Sequence, residues 1–212
     1  MDSKARILAF ASELFLKYGV RSVTMDDLAQ QMAISKKTIY LSFRNKKELV
    51  KAVADQYFKK EMDISEDIIK QSSDAIDELV RIVTWSVNVI QTLAPNLLFE
   101  IKKYYPESWE VFNQFQQGYI FEKVRNNLMR GIQEGLYREQ LRIDIITGLR
   151  LLQIEGTLLQ QHFPRNQFDP IEVQLVVFEH YMLGLVTDKG RELLRQYLST
   201  TPFSTSQSFI ES

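Results

Sequence analysis

Between Asp27 and Glu48 the chain carries no acid, and Lys36, Lys37, Arg44, Lys46 and Lys47 place five positive charges in that window. Cations interleaved with the hydroxyls of Ser35, Thr38 and Tyr40 are suited to one chemistry above others: neutralising and hydrogen-bonding phosphate oxygens. The charge of the whole chain, −1, conceals this, because residues 1–60 hold 12 Lys and Arg against 6 Asp and Glu while the rest is net negative. A basic head attracts a polyanion, and an acidic remainder limits non-specific adhesion to it. Covalent chemistry has little to work with. The chain has no cysteine, which excludes disulfides, thiolate metal sites and thiol nucleophiles, and it has no P-loop, nucleophile elbow or HExxH pattern. His162 and His180 stand isolated, as core or surface histidines usually do, and neither a metal nor any other cofactor is expected.

Groups that meet phosphates need a scaffold, and the spacing of apolar residues supplies one. Ile7, Leu8, Ala11, Leu14 and Phe15 follow one face of a helix that Gly19 can end in a left-handed cap. Thr24 with Asp27 three residues on predicts an N-cap and a helix of about two turns, with Leu28, Ala29 and Met32 inward. Ser35 caps a third short helix, Lys36 to Leu41, whose Ile39, followed by Phe43, faces the core and leaves Lys36, Lys37 and Tyr40 outward. Asn45 then opens a fourth helix with Glu48 at its third position, an Asn/Glu capping box. Two short helices joined by a tight turn are the geometry that lays a recognition helix in a DNA major groove.

The stretches Thr24-Met25-Asp26-Asp27-Leu28-Ala29, Ile34-Ser35-Lys36-Lys37-Thr38-Ile39-Tyr40, Phe43 and Asn45-Lys46-Lys47-Glu48-Leu49 resemble the N-terminal signature of the tetracycline-repressor (TetR) family. The resemblance covers about residues 3–55. It implies a homodimeric transcription factor, usually a repressor, whose divergent C-terminal domain binds a small molecule and releases double-stranded operator DNA. Carried over position by position, it makes Thr24, Tyr40 and Lys46 phosphate contacts and sets Lys36, Lys37 and Thr38 nearest the bases; apart from the resemblance, the helix start at Ser35 and the charge of Arg44 also suit phosphates. Three positions depart from the family pattern. Ala33 stands where glycine is common in a left-handed turn, a substitution that costs about 1–2 kcal/mol and invites a reshaped turn. Lys37 replaces a frequent glycine, and Ser42 replaces an aromatic residue or histidine.

Beyond residue 60 the pattern is that of long amphipathic helices, expected near Asp74–Leu93, Asn96–Tyr104, Glu107–Tyr137, Asp144–His162 and Ile171–Tyr197. Breaks are expected at the acidic run Asp63–Asp67 and at Pro95, Pro106, Asp144 and Pro164–Pro170. The fold expected is all-α: an N-terminal three-helix helix-turn-helix domain over residues 1–50, then a larger helical ligand-binding and dimerisation domain over 51–198, with the helix begun near residue 46 shared. Residues 199–212, rich in Ser and Thr, are expected to form a mobile tail. Trp85, Tyr105, Trp109, Phe112, Phe115 and Tyr119 are candidates to line an apolar effector pocket, although such stripes more often fill a core. Leu149, Leu152, Gly156, Leu159, Val176, Val177 and Leu183 suit either an intramolecular core or a two-fold four-helix bundle.

The uncharged stretch Ile82–Phe99 holds too many polar groups for hydrocarbon, so no membrane span is expected. The N-terminus lacks the apolar run of an export signal, and a cytoplasmic protein is expected. Two other readings stay open on the residues alone, an all-α enzyme and a helical protein-interaction module without a DNA role.

Overall fold

The computed structural model describes residues 3–159 and 162–201. In chain order the helices are α1 (Ser3–Tyr18), α2 (Met25–Gln31), α3 (Lys36–Ser42), α4 (Lys46–Gln71), α5 (Ala75–Thr92), α6 (Leu97–Tyr104), α7 (Pro106–Gln114), a π-helical turn (Phe115–Ile120), α8 (Phe121–Gln133), α9 (Ile143–Leu159), α10 (Pro170–Leu185) and α11 (Asp188–Ser199). Among the described residues there is no strand, only a lone bridge between Tyr137 and Val186, so the fold is all-α. The chain forms two compact units. One comprises residues up to Asp63 together with Thr92–Gln117, and the other comprises Ile64–Gln91 and everything from Gly118. The border expected near residue 50 falls inside the first unit.

In the first unit, α1, α2 and α3 close on Ile7, Ala11, Phe15, Leu28, Ile39 and Phe43, and Leu49, Val50, Val53 and Leu97 complete that core. Gly19 ends α1 at φ +82°, and a Cβ there would sit 3.2 Å from a carboxylate oxygen of Glu100. The same oxygen accepts the Arg21 N–H at 2.9 Å. α6 is thereby fastened to the end of α1.

In the second unit, α5, α8, α9, α10 and α11 surround Ile76, Val80, Leu128, Tyr137, Leu151, Phe178, Met182, Leu185 and Leu194. The fully buried Tyr137 hydroxyl lies 3.1 Å from the Ala75 carbonyl and 3.2 Å from Asn127 Oδ1. Its ring occupies the space a side chain at position 131 would need: a Cβ on Gly131 would fall 2.0 Å from it. Asp77, buried, accepts Arg81 Nε at 2.7 Å and the Ser73 N–H at 2.9 Å. Arg130 reaches Glu134 at 2.7 Å and buried Glu78 at 3.2 Å.

Two buried polar groups of this unit are not matched in this way. Arg150 on α9 is 8% exposed, and among the described residues its guanidinium donates to one acceptor, Gln153 Oε1, at 3.4 Å. Two rings lie beside it, with Tyr181 4.7 Å and Phe178 6.0 Å from ring centroid to guanidinium carbon. Removing an ion from water costs several kcal/mol after relaxation, and a desolvated cation–π contact returns about 2 kcal/mol. Burial accordingly holds the Arg150 pKa below its ordinary value. Thr147, one turn earlier and 0% exposed, has a hydroxyl with no partner among the described residues.

The helix boundaries differ from expectation in three places. α4 runs unbroken through the acidic run, where Glu66 is held by Lys123 at 2.5 Å and Tyr119 at 3.0 Å; an acidic residue with partners on another helix has no reason to break its own. The long helix expected over Glu107–Tyr137 contains the π-helical turn and stops at Gln133, with Gly135 at φ +67°. The helix expected over Ile171–Tyr197 is two, because Thr187 takes up extended backbone and its hydroxyl accepts the Gly190 N–H at 3.1 Å, starting α11. Of the tail expected from residue 199, Pro202–Ser212 lie outside the described residues, and Ser199 closes α11.

Candidate nucleic-acid interface

The candidate surface is built by the turn between α2 and α3. Thr24 caps α2 in a full capping box: its hydroxyl oxygen accepts the Asp27 N–H at 3.0 Å, and the Asp27 carboxylate accepts the Thr24 N–H at 2.8 Å. Thr24 Oγ1 also lies 2.7 Å from that carboxylate, so the hydroxyl named as a phosphate contact is spent on the cap. Those two contacts hold the Asp27 carboxyl below its usual range. α2 then ends in a Schellman motif, with Ile34 N–H donating to the Ala29 carbonyl at 3.0 Å and Ala33 N–H to Gln30 at 3.1 Å. The residue in the left-handed position is Ala33, at φ +53°. The turn is not reshaped; it keeps the conformation a glycine would favour and bears the strain.

α3 is capped by Ser35, whose Oγ accepts the Thr38 N–H at 3.1 Å. Ile39 is fully buried and Phe43 nearly so, which anchors one face of α3; Tyr40 is 48% exposed on the other. Lys37 is exposed and forms no ion pair among the described residues. Lys36 is also exposed, but its ammonium lies 2.6 Å from Asp26 on α2, and that hydrogen bond raises its pKa. The acid-free window of the sequence thus borrows an acid from just outside it. Leu41, which sequence reasoning missed, is 78% exposed beside Tyr40; an apolar residue where the helical pattern calls for a polar one was the available signal. Ser42 turns its hydroxyl back on the Thr38 carbonyl at 3.3 Å.

Asn45 caps α4 as expected, its Oδ1 accepting the Glu48 N–H at 2.9 Å. The return bond differs: Glu48 accepts the N–H of Arg44, also at 2.9 Å, and the Arg44 side chain at 3.2 Å, in place of the Asn45 N–H. Lys46 is partly buried, its ammonium 5.9 Å from the Phe15 ring centroid. Burial lowers its pKa against the pull of Glu100 and Asp27.

The residues named for an effector pocket fall into both units. In the first, Trp109 packs on Phe112 at 4.6 Å between centroids, and Phe58 of α4, not among the candidates, stacks on Phe115 at 4.8 Å and meets Phe112 at 5.9 Å. Tyr105 is half-buried against the core of the same unit. Trp85 and Tyr119 belong to the second unit, where the Tyr119 hydroxyl bonds Glu66. The residues named for dimerisation lie on α9 and α10. Leu152 is 68% exposed, Val176 50%, Leu149 46% and Leu183 39%, with Ile145 at 59% on the same face of α9 as Leu149 and Leu152. Gly156, Leu159 and Val177 are half-exposed. Positions 148, 156 and 184 have open space where a Cβ would be. Among the described residues no group of His, Asp or Glu gathers to hold a metal ion, and no single helix is long and apolar enough to cross a membrane.

Residues 7–53 match the family model of bacterial regulatory proteins, tetR family. An HTH-type transcriptional regulator of Bacillus subtilis (strain 168), YvaF, is 34% identical over 111 residues, 52% of this chain and 58% of that protein. The chain thus spans less than two thirds of that relative. Among solved structures, the transcriptional regulator FadR of Bacillus subtilis in complex with stearoyl-CoA superposes with a TM-score of 0.66 at 21% identity, covering 85% of this chain and 98% of that one. A putative transcriptional regulator of Saccharomonospora viridis in complex with choline gives 0.73 at 18% identity, covering 87% and 97%. With its helix-turn-helix residues matching in order and spacing, the segment 7–53 is similar to the N-terminal domain of bacterial regulatory proteins of the tetR family.

Proposed function

We propose that the chain is a ligand-responsive, DNA-binding transcriptional regulator that works as a homodimer, a repressor released from its operator by a small lipophilic effector. The observation that carries this reading is the anchoring of α3: Ile39 and Phe43 are buried while Lys37, Tyr40 and Leu41 on the same short helix are exposed. A helix so held can enter a major groove, with Lys36, Lys37 and Thr38 toward base edges and Leu41 toward a thymine methyl or sugar. Tyr40, Arg44 and the helix start at Lys46 then face phosphates, with Ser35 and Thr24 ordering the helix ends. Residues 1–50 act as the DNA-binding part and residues 51–198 as the sensing and dimerising part, and α4 is the covalent link between them.

The apolar stripe Ile145, Leu149, Leu152 on α9 and Val176, Leu183 on α10 supports the dimer, because residues of this type and exposure gain by meeting their own copies across a two-fold axis. The glycines at 148, 156 and 184 permit close helix approach there. Two recognition helices about 34–36 Å apart would then read successive major grooves. Solved relatives of the same fold hold stearoyl-CoA and choline, which supports a small-molecule effector here, with Trp109, Phe112 and Phe115 as part of its lining and Trp85, Tyr105 and Tyr119 as further candidates. The test is binding of the full chain to DNA from its own upstream region, followed by fluorescence anisotropy across a salt series. Binding that steepens with falling salt and is lost when Lys36, Lys37, Arg44, Lys46 and Lys47 are all changed to Ala is expected; retention of binding by that variant refutes the reading.

A further inference from the structure

Arg150 has no counter-ion among the described residues. On the inward face of α9 its side chain is buried, 8% exposed. A guanidinium offers five N–H donors in a planar fork, and among the described residues a single long bond to Gln153 Oε1, at 3.4 Å, uses one of them. Among the described residues no carboxylate pairs with it, whereas the other buried charges of the unit are paired: Asp77 with Arg81, and Glu78 with Arg130. Its i−3 neighbour Thr147 is fully buried with its hydroxyl unpartnered. Residues three apart on a helix are neighbours on one face. Next to them are the rings of Tyr181 and Phe178.

We infer that this corner of the second unit receives the carboxylate of a small organic acid, with the Arg150 guanidinium binding it through the fork and the aromatic rings packing its apolar body. The inference takes the sensing role from the function proposed above and adds the chemical class of the effector. Guanidinium and carboxylate match in plane and spacing, and paired N–H···O bonds between them are among the strongest a protein makes. Charge balance separates a carboxylate from a phosphate monoester: one guanidinium and one neutral hydroxyl cancel a single negative charge, and a dianion would leave a second one buried. The apolar rings favour a ligand whose remainder is hydrocarbon. An ester or thioester of the same acid lacks the charge that Arg150 is placed to meet.

The experiment is calorimetric titration of the full-length protein, without DNA, with hexanoate, octanoate, decanoate and 3-phenylpropanoate, each beside its methyl ester and, for the decyl chain, decyl phosphate. At least one acid is expected to bind about tenfold or more tightly than its ester and than the phosphate, and Arg150→Met is expected to abolish that preference. Arg150→Lys keeps the charge without the fork and is expected to retain part of it, and Thr147→Val to weaken it about two- to fivefold. If Arg150→Met does not fold, as judged by circular dichroism and gel filtration, the Arg150→Lys and Thr147→Val variants and the acid-to-ester ratio of the unaltered protein decide. Equal binding of acid and ester, a preference for the phosphate, a preference unchanged in the folded variants, or no binding by any acid in the panel overturns the inference. DNA binding measured separately keeps the two readings apart. A chain that prefers the acid but binds no DNA loses the regulator reading alone, and one that binds DNA but shows no acid preference loses this inference alone.

Discussion

Ala33 is the position where local strain can be weighed most directly. It is exposed, takes φ +53°, and donates its N–H to Gln30 while Ile34 donates to Ala29. An L-residue with a Cβ in that conformation is less stable by about 1–2 kcal/mol. Replacing it with glycine removes the strain but loosens the unfolded chain, which costs roughly 0.4–1 kcal/mol. Because Ala33 is exposed, no buried contact is lost, and the net expectation for Ala33→Gly is a stabilisation of about 0.5–1 kcal/mol. In a chain of this size that raises the melting temperature by roughly 1–4 °C. The measurement is a pair of urea titrations at equal protein concentration, so that any association affects both proteins alike; the midpoint should rise with the slope unchanged. Both motif bonds are made by backbone, so α3 keeps its place and DNA affinity should stay within about twofold. Ala33→Val, branched at Cβ, should lower the midpoint. A lower midpoint for the glycine variant would show that the left-handed conformation at residue 33 is not strained, and the reasoning would fail.

Four further outcomes follow from particular contacts. Asp26→Asn releases the ammonium of Lys36, now 2.6 Å from that carboxylate, and should raise DNA affinity about two- to fivefold at low salt; unchanged affinity in anisotropy measurements would mean that Lys36 does not face DNA. Lys46→Ala should flatten the plot of log affinity against log salt by about one unit with no change in sequence preference, and an unchanged slope removes Lys46 from the phosphate contacts. Leu152→Arg, at a side chain 68% exposed, should turn the proposed dimer into a folded monomer in analytical ultracentrifugation, whereas a persisting dimer puts the interface elsewhere. For Asp77, burial pushes the pKa up, but the bonds from Arg81 and Ser73 outweigh it and the net shift is downward. The stability it adds is therefore complete above the ordinary aspartate value and fades as pH falls through the lowered one. The gap in melting temperature between the natural chain and Asp77→Asn should be widest near neutrality and close below about pH 4; a gap constant with pH contradicts this.

The head of the molecule was legible in the sequence because each of its signals is local. Thr24 with Asp27, Ser35, and Asn45 with Glu48 lie within one turn of the N–H groups they cap, and Ile39 and Phe43 are buried in the core that α1, α2 and α3 share at the head of the chain. Where the reading went astray, the deciding partner was distant in sequence. The acidic run at 63–67 does not interrupt α4, since Glu66 is answered from Tyr119 and Lys123. The break before α11 rests on Thr187, whose hydroxyl also lies 2.9 Å from the Gly135 carbonyl, 52 residues away. Phe58 joins Trp109, Phe112 and Phe115 from a helix read only for its first turns.

α9 shows most clearly why periodicity could not finish the reading. Amphipathicity identifies a helix by contrast between an apolar and a polar face, and α9 has little contrast to offer. Its inward face carries Ile143, Ile146, Leu151 and the buried Arg150, and its outward face carries Ile145, Leu149 and Leu152. In the sequence IDIITGLRLLQIEGTLL apolar residues fall on every side, so periodicity does not say which of them face inward or where Arg150 points. In the structure the leucines at 149 and 152 are exposed and the arginine is enclosed. Each placement costs free energy in an isolated chain: exposed leucine side chains forgo about 1.5–3 kcal/mol apiece that burial would give, and an unpaired buried guanidinium is costlier still. A helix that carries both costs on opposite faces is explained economically if each face has a partner outside the chain, a second copy for the leucines and an anion for Arg150. The two explanations are independent, since ultracentrifugation of Leu152→Arg and calorimetry of Arg150→Met test them on different faces of one helix, and either can fail while the other stands.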